Sequence, residues 1–103
     1  KQEMLGITAD TLAQHGAVSE QTVIAMASGA LAHSRANVAL AIRGIAGPTG
    51  GTPDKPVGTV CFAWADDAGQ MLSITRHFDG DRPSIREQAA AFAIMGMLDF
   101  LYG

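Results

Sequence analysis

Cysteine is almost missing from this chain: Cys61 stands alone in 103 residues, which excludes an intrachain disulfide framework. The three histidines, His15, His33 and His77, are scattered, and no Cys/His spacing resembles a zinc site. Basic residues are scarce as well. The 7 Lys and Arg face 10 Asp and Glu, for a net charge of -3 and no basic stripe, so nucleic acid is not an expected partner. No apolar run is long enough to cross a bilayer, no signal peptide is read, and the expected setting is cytoplasmic. Charged residues are only 17% of the chain and hydrophobic ones 48%, a balance that excludes intrinsic disorder. The length suits a single domain over residues 1–103.

What is present is an alternation of helical and extended segments. Residues 1–16 hold a short amphipathic stretch, with Thr8-Ala9-Asp10 as a helix start and Gly16 as its stop. Ser19 reads as the N-cap of a second helix over 20–33, with Val23, Ala27, Ala30 and Leu31 as its apolar stripe. The run Val38 to Arg43, bounded by Asn37 and Gly44, predicts a buried strand apolar on both faces. Strands at 57–65 and 70–78 flank the turn Asp66-Asp67-Ala68-Gly69 and predict an antiparallel hairpin. A last helix is predicted over 82–101, capped by Asp81 or by the box Ser84…Glu87. Its segment 89–98 has no charged residue on any face, which calls for burial on more than one side, part of it by something outside this chain.

The chemistry-bearing signal is the loop 44–56, with four glycines and three prolines in 13 residues. Such a loop after a buried strand lets backbone N–H groups converge on an anion without Cβ obstruction. Thr49 and Thr52 add hydroxyls, no acid occurs between Glu20 and Asp54, and Arg43 and Lys55 flank the loop. The same glycines also suit a tight connection with no ligand. The loop lacks the Gly-Lys-Ser/Thr of a phosphate-binding P-loop, and a strand, not a helix, follows it. Asp81, Arg82 and Arg86 either bind a phosphate or merely decorate a helix end. Cys61, mid-strand between Val60 and Phe62, reads as a buried, inert thiol. No nucleophile–base pair can be named from spacing.

Taken together, Gly44-Ile45-Ala46-Gly47-Pro48-Thr49-Gly50-Gly51 and Lys55-Pro56-Val57-Gly58-Thr59-Val60 resemble the signature of the CinA C-terminal domain family. Lys1-Gln2 through Leu5-Gly6-Ile7, His15-Gly16-Ala17-Val18-Ser19-Glu20, and Gly80-Asp81-Arg82 with Arg86 agree in order and spacing. That family includes stand-alone nicotinamide mononucleotide deamidases. The resemblance implies a three-layer α/β/α sandwich with a mixed sheet and hydrolysis of a carboxamide, with neither metal nor cofactor. It implies a serine nucleophile activated by a lysine, the position that Lys1 matches, and substrate binding by Gly44, Ala46, Gly47, Thr49, Gly50, Gly51 and Thr52. The family's Ser-Cys-Thr-Gly-Gly motif does not occur in this sequence. The expectation is therefore the carboxyl-terminal portion of the domain, with an amino-terminal strand and helix missing. Arg43 stands where the family usually carries a small hydroxyl residue. Its guanidinium either pairs a substrate phosphate or marks a nucleotide-binding module that has lost catalysis. A homo-oligomer is expected from the apolar last helix.

Overall fold

Ser19 starts the first helix among the described residues, and it is the N-cap that the sequence predicts. Its Oγ accepts from the Thr22 N–H at 3.1 Å, and Thr22 Oγ1 donates to the Gly16 carbonyl at 2.6 Å, closing the chain entry. The computed structural model describes residues 16–103, so the helical stretch predicted within 1–16, up to its stop at Gly16, and Lys1 with it, lies outside the described residues. The elements run α1 (Glu20–Ala32), β1 (Val38–Gly44), β2 (Thr59–Asp66), β3 (Met71–His77) and α2 (Arg82–Tyr102). The strands form one sheet in the order β1-β2-β3, with α1 on one face and α2 on the other. The layering is α/β/α, as the family resemblance implies. Both pairings among the described residues are antiparallel.

Pleating sorts the side chains. On the α1 face, Ala39, Ala41, Cys61, Ala63 and Ala65 meet Val23 and Ala27, so the helix rests on a floor of small side chains. On the α2 face, Val60, Phe62 and Trp64 meet Ile85, Ala89 and Ala93. The Phe62 and Trp64 rings lie parallel with centroids 5.8 Å apart, and Phe92 leans onto Phe62 at 4.8 Å. Burying each large ring contributes about 1.5–3 kcal/mol. β2 is covered on both sides and is the spine of the core.

Two expectations are corrected. β1 is not buried on both faces: it is the edge of the described sheet, and Leu40 and Ile42 are each 37% exposed. Its sequence records apolarity on two faces, but among the described residues only the α1 face is fully covered, and α2 covers the other in part. The strand predicted from Val57 begins at Thr59, because Gly58 takes φ +99° and the Thr59 N–H turns back to Pro56 O at 3.0 Å. A third expectation holds: among the described residues the outer face of α2 is open, with Ile94, Met95, Leu98 and Leu101 exposed, as a cover from outside this chain requires. Among the described residues no helix is long and apolar enough to cross a membrane.

Candidate functional site

The glycine-rich loop leaves β1 and folds back along itself. The Ile45 N–H donates to Thr59 O at 2.9 Å and the Gly58 N–H to Ile45 O at 2.7 Å, so the ladder continues one step past Gly44. Beyond it Gly47, with φ +82°, and Gly51 press against Val57; a Cβ on Gly47 would stand 2.6 Å from Val57 Cγ1. Thr52 closes the far end, accepting from the Lys55 N–H at 3.0 Å through its hydroxyl. Gly47 and Gly51 thus answer first to the loop's own packing.

The open end of β1 and the start of α2 enclose a cleft of about 430 Å³. Ile42, Val60, Ile85, Ala89 and Ala90 form its apolar wall, Gly44 and Ala46 its loop edge, and Arg82 and Arg86 its charged rim. Asp81 caps α2, accepting from the Ser84 N–H at 3.0 Å, and the next residue, Arg82, reaches the loop, where its guanidinium donates to Gly47 O at 3.4 Å. Two cations in the first two turns of a helix oppose its dipole, which favours an anion there instead. The arrangement suits a ligand with an anionic group at the rim and a flat apolar part against the wall.

Of the residues singled out in the sequence, Gly44 and Ala46 line the cleft and Gly47 meets it through Arg82. Thr49 and Gly50 are exposed on the loop, and Thr52 is engaged in the loop's closing turn. Arg43 pairs with Cys61 and so shares the α1 face, whereas the cleft opens on the other side of the sheet, beside Ile42. Arg82 and Arg86, for which the sequence allows either a phosphate site or decoration, are the ones brought to the loop. Their one-turn spacing is visible in the chain; the neighbour 35 residues away is not. Cys61 is buried, as expected, with Sγ 3.4 Å from Thr75 Oγ1.

The family model described as the CinA C-terminal domain matches residues 1–101. The chain belongs to the CinA C-terminal domain family. Nicotinamide-nucleotide amidohydrolase PncC of Escherichia coli K12 is 52% identical over 94 residues, covering 91% of this chain and 57% of that protein. A CinA-like protein of Akkermansia muciniphila is 50% identical over 99 residues, 96% of this chain but 24% of its own length. The crystal structure of competence/damage inducible protein CihA from Agrobacterium tumefaciens superposes with a TM-score of 0.89 at 43% identity, covering 95% of this chain and 60% of that one. This CinA-family chain therefore spans little more than half the length of the PncC relatives that it matches.

Proposed function

We propose that the intact protein is an amidohydrolase that converts nicotinamide mononucleotide and water to nicotinate mononucleotide and ammonia. The observation that carries this reading is the 52% identity to an amidohydrolase of that name. The cleft supports it: Arg82 and Arg86 suit the substrate's phosphate, and the apolar wall between Ile42 and Ala90 suits its ring. In the proposed reaction a serine outside this chain attacks the carboxamide carbon while Lys1 accepts its proton. The C–N bond then breaks, ammonia leaves with that proton, and water releases the acyl group as nicotinate. Loop N–H groups near Ala46 and Gly47 face the developing oxyanion. Arg43 offers no support for a module that has lost catalysis, since it lies across the sheet from the cleft. A cytoplasmic homo-oligomer completes the proposal, supported by the open apolar face of α2.

Ammonia release from nicotinamide mononucleotide by the intact protein is the test. Replacing Arg82 or Arg86 by alanine is expected to raise KM about ten-fold or more, with kcat less affected. The phosphate-free riboside should be a poor substrate for the wild type, and the double variant should no longer discriminate against it. Tight binding with no turnover would overturn the amidase.

A further inference from the structure

We propose that His77 is a positioning residue for the glycine-rich loop, anchoring the loop's returning limb through the carbonyl of Val57. The His77 Nε2 lies 2.8 Å from Val57 O. A carbonyl only accepts, so Nε2 carries the proton of this bond. On the ring's other side Nδ1 stands 3.6 Å from Asp79 Oδ1. The approach is open because position 58 is glycine: a Cβ there would sit 3.0 Å from His77 Nε2 and 2.1 Å from Phe78 O.

Val57 links this bond to the cleft. Gly47 packs on its side chain, and a Cβ on Gly51 would fall 2.6 Å from its backbone nitrogen. The limb that presents Gly44, Ala46 and the Gly47 carbonyl therefore leans on Val57. The Val57 side chain packs on the α2-side core, and Gly58 beside it bonds to Phe78 and Ile45 through its backbone. The Val57 carbonyl itself is met by the His77 imidazole. The ladder bonds of β3 are made by its backbone and do not need this side chain. His77 is absent from the cleft lining, so it acts through the loop and not on the substrate.

The experiment compares wild type, His77→Ala and His77→Gln in the intact protein, by hydrogen exchange and by kinetics on nicotinamide mononucleotide. Glutamine places an amide N–H near the position of Nε2. In H77A, peptides covering 45–58 are expected to exchange about ten-fold faster, while β2 and α2 keep their protection. KM should rise about five-fold with kcat changed less than about two-fold, and H77Q should restore both readouts. Unchanged loop exchange in H77A, an unchanged KM despite a looser loop, or an H77Q loop as unprotected as that of H77A overturns the proposal. If H77A does not fold, H77Q alone decides: a protected loop with wild-type KM supports the anchor, and an unprotected one overturns it. The kinetic readout rests on the amidase reading and the exchange readout does not. An intact protein that releases no ammonia would sink that reading, and loop exchange alone would then decide the role of His77.

Discussion

Glycine inside a helix ordinarily costs about 1 kcal/mol relative to alanine; at Gly96 the sign reverses. A Cβ there would stand 2.3 Å from Cζ2 of Trp64, and the indole is pinned by its Nε1–H bond to Ala93 O at 3.1 Å. Overpacking of this kind costs about 1–3 kcal/mol, so Gly96→Ala is expected to lower the urea-unfolding free energy by about 2 kcal/mol. Gly69 is the control: its φ is +97° and nothing lies within 4 Å of where a methyl group would stand, so its alanine variant bears only the left-handed backbone penalty of about 1–2 kcal/mol. Residue roles are the least legible part of the sequence. Glycine enrichment marks the loop, but it does not separate Gly44, which opens the cleft, from Gly51, which packs on the returning limb. The two-residue pleat already sets Arg43 and Ile42 on opposite faces of their strand, but the chain does not show which of those faces carries the cleft.

Elements are read more faithfully than residues, because their ends carry local chemistry. Ser19 and Asp81 both cap helices through N–H groups three residues on, at 3.1 and 3.0 Å. The turn after β2 is held by Asp66 Oδ1, which accepts from the Ala68 and Gln70 N–H groups at 3.0 and 2.8 Å. Such signals are complete within four residues, so they survive in a bare sequence. Asp81→Ala is expected to destabilise by about 1 kcal/mol in chemical denaturation, with Asp81→Asn retaining most of the cap. What the elements do not reveal is their company. The run Val38 to Arg43 is equally apolar whether a neighbour covers one face or both, and that neighbour is set by long-range pairing.

At the scale of the molecule, the two helices treat the sheet differently. α1 lies on alanines, and α2 stands on rings and turns Ile94, Met95, Leu98 and Leu101 outward. The proposed homo-oligomer predicts a sedimentation mass for the intact protein above that of one copy at micromolar concentration. Leu98→Glu should return it to a single copy, and a wild type that sediments as a monomer would remove the idea. The unequal layers also leave an optical asymmetry. The chain has one tryptophan, Trp64, and it is seated wholly on the α2 side of β2. Its ultraviolet emission is therefore a private gauge of one interface. Lifting α2 wets the indole and shifts its colour to the red, while the parting of α1 from its alanine floor leaves the signal dark, so the two layers can be timed apart as the molecule comes undone.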